Sequence, residues 1–322
     1  MKAPWITYRP EIRVMDCTVR DGGLINDHKF DDELVKAVYD TCIEAGIDSM
    51  EVGYKNSKRL FAKDKFGAWK HSDEEDIRRI VGDNPTSLKL SVMLDAGKSD
   101  WKIDILPKSE SVIDIMRMAC YIHQIPEAVD MIKAAADHGY ETSCNIMAIS
   151  TAQESEIDQA LEVLRGTPVN TVVVVDSNGA LYAEQIEKLV KKYLAALEGT
   201  GKEVGIHAHN NQQLAFSNTI ESIIHGANCI DATMSGMGRG AGNCPMELLL
   251  GFLRNPKFKL RPVLKLLQDH FVPLREQVEW GPLVQYNITG QMNQHPRVAI
   301  AARSDADKDN YVEFYDRCVG DV

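Results

Sequence analysis

The chain has 322 residues, with 36 Lys and Arg against 47 Asp and Glu, a formal net charge of −11 and 44% hydrophobic residues. The acidic balance disfavours attraction to nucleic acid or anionic lipid, and no apolar run reaches the roughly 18 residues that a membrane-spanning helix requires. Seven cysteines without a CxxC pair and a first stretch, MKAPWITYRPEIR, without an apolar signal core are expected of a soluble, cytoplasmic protein with reduced thiols.

In chain order, residues 11–18 (EIRVMDCT) read as a first strand, followed by the polar stretch VRDGGLINDH. Residues 31–45 form a helix closed by Gly46, and residues 48–54 (DSMEVGY) give the second strand. The cycle then repeats as helix 73–81, strand 88–94, a brief helix within 97–106, strand 112–119, helix 126–138 ended by Gly139, and strand 141–148. A helix over 153–165 precedes TVVVV at 171–175, an apolar run that fits a parallel strand buried on both faces. A helix over 183–197, a strand leading into His207-Ala208-His209, a helix over 212–225 and a strand over 229–234 complete the series.

Eight strands alternating with helices over about 250 residues have the count and length of a (β/α)8 TIM barrel in the α/β class. A doubly wound sheet is the alternative, and it more often stops at about five to seven strands. The barrel is expected over residues 8–255, with its last helix at 246–254. Residues 256–322, helical from 260 onward and not set off by a Gly/Ser linker, are expected to form a cap or an arm for homo-oligomerisation; they carry Tyr286 and the NQHP stretch with His295.

Side chains two apart on a strand share a face, so His207 and His209 can converge on one ion, although an isolated HxH is often a pair of hydrogen-bonded surface histidines. The glycine-rich loop at 236–243 loosely satisfies GxGxxG/A, but a dinucleotide fingerprint belongs at the first strand of its domain. Close passage of backbone by a ligand is the better reading. In a barrel, the loops after the strands open on one face. Strand one brings Arg20 and Asp21 there, strand two Glu51, strand four Arg117, strand six Asp176 and Ser177, and strand seven His207 and His209, while strand eight leads to Asn243. A carboxylate and HxH on neighbouring ends make a 2-His-1-carboxylate set with open positions.

These residues resemble the metal-dependent lyases and aldolases of the 3-hydroxy-3-methylglutaryl-CoA lyase-like superfamily, over roughly residues 14–250. The motifs are DCTVRDG at 16–22, EVG at 51–53, DSNGA at 176–180, HAHN at 207–210 and GMGRGAGN at 236–243. They look most like the 4-hydroxy-2-oxovalerate (pyruvate) aldolase branch. The resemblance implies Asp21, His207 and His209 as metal ligands, Asn243 as a further ligand, Arg20 as the enolate-stabilising cation and Ser177 beside the bound 2-oxo acid. Glu51 and Arg117 are expected to bind substrate. Mn²⁺ is the first expectation for the ion, because mixed N/O ligation suits six-coordination, with Mg²⁺, Co²⁺ and Zn²⁺ as alternatives.

The implied activity is that of a class II pyruvate-type aldolase, a lyase acting on a hydroxylated 2-oxo acid and releasing an aldehyde. An acyl-CoA-dependent condensing synthase and a metal-binding pseudoenzyme are the alternatives. One departure bears on the mechanism. The aldolase branch carries a catalytic histidine four positions after the motif arginine, where this chain has Leu24, and an apolar side chain cannot shuttle a proton. His28, His123, Tyr121, Tyr286 and His295 are the candidates for that role, with His295 preferred and Tyr286 taken as a catalytic companion.

Overall fold

The computed structural model describes residues 9–320; residues 8, 321 and 322 of the two expected units lie outside the described residues. Eight parallel strands close on themselves in sequence order. They are β1 (Arg13–Asp16), β2 (Ser49–Tyr54), β3 (Lys89–Asp95), β4 (Ile115–Cys120), β5 (Glu141–Ile146), β6 (Thr171–Asp176), β7 (Glu203–Ala208) and β8 (Cys229–Ala232). Closure is made by β1 against β8, in register from Arg13–Cys229 to Asp16–Ala232. This is a (β/α)8 barrel with further helices C-terminal to it, as the alternating pattern implies. The valine run of β6 is buried along its whole length, because one face fills the barrel and the other meets the outer helices. Among the described residues, no helix is long and apolar enough to cross a membrane.

Two local differences from the sequence pattern matter for the site. Strand one ends at Asp16, and the polar stretch after it opens with a short helix, Thr18–Gly22, rather than a loop. Asp16 caps that helix: its carboxylate accepts the Thr18 backbone N–H at 3.2 Å and the Thr18 hydroxyl at 2.5 Å. All five helix residues are buried, so no amphipathic period betrays it. Residues 211–213 after the histidines are likewise not helical; the helix begins at Ala215, whose N–H is accepted by the Asn210 side chain at 3.1 Å.

The C-terminal segment divides by packing further along than residue 255. Phe258, Val263, Leu266, Phe271 and Trp280 are buried in the same core as the barrel. A separate cluster of Tyr286, Ile288, Ala299, Ala302, Phe314 and Cys318 closes over Ala241 of the glycine-rich loop. The seam between barrel and cap thus follows Trp280. Trp280 itself is held by its indole N–H on the Ser235 carbonyl at 3.1 Å, by the Arg275 guanidinium 4.1 Å above the ring, and by an edge-to-face contact with Phe271. Trp280→Ala is expected to lower stability by about 3–5 kcal/mol. Urea unfolding followed by far-UV circular dichroism should show the main barrel transition moving to lower denaturant; an unmoved transition would return the seam to residue 255.

Candidate metal centre and active site

At the C-terminal end of the strands, a cavity of about 60 Å³ is lined by residues from all eight strand ends or the loops after them and by the cap. One wall is apolar: Leu24, Tyr54, Met93, Ala119 and Met147 pack as one cluster. The other is polar, with Arg20, Asp21, Ser177, His207, His209, Arg239 and His295. A larger cavity of about 430 Å³ lies at the opposite end, where the strands start. Its charged groups are largely matched, as in Arg13–Glu141 at 3.0 Å and Lys89–Glu141 at 2.5 Å, and the convergent ligands are at the smaller one.

Asp21, His207 and His209 offer three ligand atoms that all lie within 4.8 Å of one another. The His207 ring is oriented from behind, where Nδ1 contacts the Asp231 carboxylate at 3.0 Å, leaving Nε2 facing Asp21 at 3.4 Å. That is the carboxylate–histidine arrangement that fixes a ligand's tautomer. His207 Nε2, His209 Nδ1 and the Asn243 Oδ1 are buried without a hydrogen-bond partner. Buried polar atoms are rarely left so, and here the orphans are all good ligands for a divalent cation. Asn243 is drawn to the group by its bridge to His209 and by its amide N–H on the Met237 carbonyl at 3.2 Å. The donor set of two imidazoles, a carboxylate and an amide oxygen fits a single hard or borderline ion.

Electrostatics keep this set in a binding-ready state. Burial pushes the Asp21 carboxyl up, but the neighbouring Arg20, His209 and His207 outweigh it and hold the group well below the usual carboxylate range. Burial lowers His207, while the carboxylates of Asp21 and Asp231, one beside each ring nitrogen, reverse the balance and raise it. His209 is driven well below the ordinary histidine value, first by burial and then by Arg239, His207 and Arg20 against the pull of Asp21, so it is neutral.

Arg20 is held from two sides. Its Nη1 meets Asp21 and its Nε donates to Glu51 at 2.6 Å. Its remaining nitrogen, Nη2, is buried without a partner, in a side chain that lines the cavity. Glu51 and Arg117, expected to bind substrate, are instead inside the barrel and do not line this cavity. Both are occupied with other charges: Arg117 reaches Glu51 at 3.2 Å and Asp231 at 2.6 Å. Ser177 does line the cavity, and its hydroxyl accepts the Ala148 N–H at 2.9 Å. Asp176 accepts the N–H groups of Ala180 and Leu181 at 3.0 and 3.1 Å and so shapes the loop after β6.

Of the five candidates to replace a histidine at position 24, only Tyr121 and His295 line the cavity. His28 is buried edge-on against Tyr54, at 5.4 Å between ring centroids, with both nitrogens unpartnered. His123 is exposed and stacks on the outer side of Tyr121. Tyr286, expected to be catalytic, packs in the cap cluster against the glycine-rich loop, because a helix buries its ring there. His295 is engaged at both ring nitrogens. Nδ1 faces the Arg297 backbone N–H at 3.1 Å and Nε2 faces the Arg239 guanidinium at 3.2 Å, so neither nitrogen is left free for a substrate proton. Burial, then Arg239, Arg297 and Lys98, push its pKa down to about 4, so it is neutral at pH 7.

Two residues of the site escaped the sequence reading. Asp231 carried a signal, a carboxylate in the middle of an otherwise apolar strand, but the motif reading passed over it. Arg239 is the single charged side chain of GMGRGAGN and was read only as part of a flexible glycine loop.

The HMGL-like family model matches residues 11–268. A 4-hydroxy-2-oxovalerate aldolase from Thermus thermophilus is 30% identical over 247 residues, covering 77% of this chain and 70% of that protein. An oxaloacetate decarboxylase from Mycobacterium tuberculosis is 29% identical over 251 residues, covering 77% of this chain and 71% of that one. Among solved structures, the N-terminal domain of a Bacteroides vulgatus protein assigned as an aldolase superposes with a TM-score of 0.79 at 27% identity, covering 92% of this chain and 99% of that one.

A divalent ion offered to the site is expected to displace one proton, from His207, at pH values below the raised His207 pKa, and none from the already neutral His209. Affinity should then fall about tenfold per pH unit as pH drops below that pKa. Calorimetry in buffers of different ionisation enthalpy counts the protons released, and a count of two would contradict the neutral His209. His207→Ala and His209→Ala should each abolish stoichiometric metal.

Proposed function

This chain belongs to the HMGL-like family and is an enzyme, and from that premise we propose that it is a class II, pyruvate-type aldolase that breaks and forms a carbon–carbon bond of a hydroxylated 2-oxo acid. The observation that carries this reading is the conjunction of unpartnered buried atoms at one small cavity, the ligand nitrogens of His207 and His209 and the Arg20 Nη2, with the unpartnered Asn243 oxygen on the segment bridged to His209. Asp21, His207 and His209, with Asn243 as a further ligand, would hold the ion, with Mn²⁺ first and Mg²⁺, Co²⁺ or Zn²⁺ as alternatives. When bound, a divalent ion supplies Lewis-acid polarisation of the 2-oxo carbonyl.

The remaining work falls to the chain's own groups. Arg20, clamped by Asp21 and Glu51, aims its third nitrogen at the oxygen on which negative charge grows as the enolate forms. Its position is fixed before reaction, so little reorganisation is needed when the charge develops. Ser177 borders the 2-oxo acid. Leu24, Met93, Ala119 and Met147 exclude water from the carbon chain on the facing wall. With both His295 nitrogens engaged by N–H donors, the Tyr121 side chain, which lines the cavity outside the apolar cluster that holds Tyr54, is assigned the exchange of the proton of the substrate 4-hydroxyl.

The test of enolate formation is deuterium uptake from D2O into the pyruvate methyl group, read by mass spectrometry, with and without a chelator. Uptake that stops with chelation supports the reading; none with any of the four ions overturns it. Arg20→Lys keeps the charge but loses the planar fork, and is expected to lower the exchange rate by roughly 10²-fold. Tyr121→Phe is expected to lower kcat for cleavage by about 10²- to 10⁴-fold with metal content unchanged, the size of a lost general acid–base contribution. An unchanged kcat in either variant removes that residue from the mechanism.

A further inference from the structure

The cavity holds two guanidinium groups in opposite situations. Arg20 is matched by two carboxylates. Arg239 has none: among the described residues it makes no ion pair, and its side chain meets only the Ser177 carbonyl, at 3.0 Å from Nη2, and His295 Nε2, at 3.2 Å from Nη1. Its Nε is buried without a partner. A guanidinium that lines a cavity with one N–H unpartnered and no carboxylate beside it is an uncompensated positive charge, and an anionic group entering the cavity supplies the missing acceptor. Both side chains line the cavity beside the ligand histidines.

We propose that Arg239, steadied by the Ser177 carbonyl and His295, selects a substrate whose aldehyde half carries a carboxylate, so that the enzyme acts on a 4-hydroxy-2-oxo dicarboxylic acid. This rests on the aldolase reading above and names its substrate class. The atoms balance without a further reactant. The C3–C4 bond of the diacid breaks and its electron pair passes into the C2–C3 enolate, while the 4-hydroxyl loses its proton and becomes the aldehyde carbonyl. Protonation at C3 gives pyruvate, and the other product is a 2-oxo acid aldehyde such as glyoxylate. The distal carboxylate stays on that product, held by Arg239, and is not lost as carbon dioxide. A cavity of about 60 Å³ suits so small an acceptor.

The experiment compares condensation of pyruvate with glyoxylate and with isobutyraldehyde, a neutral aldehyde of similar branching. The native enzyme is expected to favour glyoxylate in kcat/KM. Arg239→Gln should lower that preference by roughly 10²-fold, the worth of a charge-assisted hydrogen bond, and Arg239→Lys should restore part of it. A binding readout separates this role from a structural one: by calorimetry, the metal-loaded native enzyme should bind 2-oxoglutarate more tightly than 2-oxovalerate, with the difference shrinking in Arg239→Gln. Equal losses for charged and neutral ligands, or no preference in the native enzyme that still exchanges pyruvate protons, would overturn the proposal and leave the aldolase reading standing. Absence of pyruvate exchange in the native enzyme would overturn both.

Discussion

The site depends on a closed ring of buried charges. Asp21 meets Arg20, Arg20 donates to Glu51, Glu51 meets Arg117, Arg117 holds Asp231, Asp231 orients His207, and His207 returns to Asp21. Burying any one of these ions alone is costly, and each is tolerated because two neighbours compensate it. The carboxyl of Asp231 shows the balance: burial pushes it up, and Arg117 and His207 bring it down to about 2. With His207 neutral, the ring carries three negative and two positive charges, an excess that a cation relieves. Substitution within the ring is therefore expected to act on metal and enolate stabilisation together, whether or not the residue touches either.

The ring also explains why residues expected at the substrate sit beneath it. Glu51 and Arg117 are on strands and point into the barrel, where a charge must find a charge. Arg20 and Asp21 are on the short helix after β1, which lifts them toward the mouth. Sequence spacing alone places all four at strand ends on one face. It does not distinguish a side chain that lines the cavity from one that props up its lining, because that depends on barrel depth.

The barrel was legible because its signal is repeated. Short apolar strands alternating with longer helical stretches recur along the chain, and an error at one boundary does not disturb the others. The convergence of His207 and His209 was legible because HxH on a strand has a fixed consequence for direction. The rest was hidden by its length or by its partners. Five residues are too few to show a helical period at Thr18–Gly22. The two nitrogens of His295 are engaged by the Arg297 backbone N–H and the Arg239 guanidinium, contacts that no residue type announces. The division of the C-terminal segment depends on which helix buries Trp280, and an apolar residue in a helical stretch reads the same on either side of a seam.

The glycine-rich loop shows how a motif acquires its physical meaning. A Cβ on Gly238 would lie 2.1 Å from Asn243 Nδ2 and 2.6 Å from Asp21 Oδ1, so backbone alone can pass between these two ligand side chains. Gly242, at a φ of +83°, would place a Cβ 1.9 Å from the Gly236 carbonyl, which turns the chain back so that Asn243 faces the site. Between them, the Arg239 N–H donates to Asp21 Oδ1 at 3.1 Å, fixing the metal-ligand carboxylate. The same residue extends its side chain over the cavity to Ser177 and His295. On the proposed reading, backbone and side chain of one position serve the two halves of the substrate: the N–H positions the Asp21 carboxylate, and the guanidinium stands on the side of the departing aldehyde. A neutral residue at 239 would leave the first task intact and abolish the second, and so the identity of this side chain, set among glycines that admit no variation, is where acceptor choice can change without disturbing the metal.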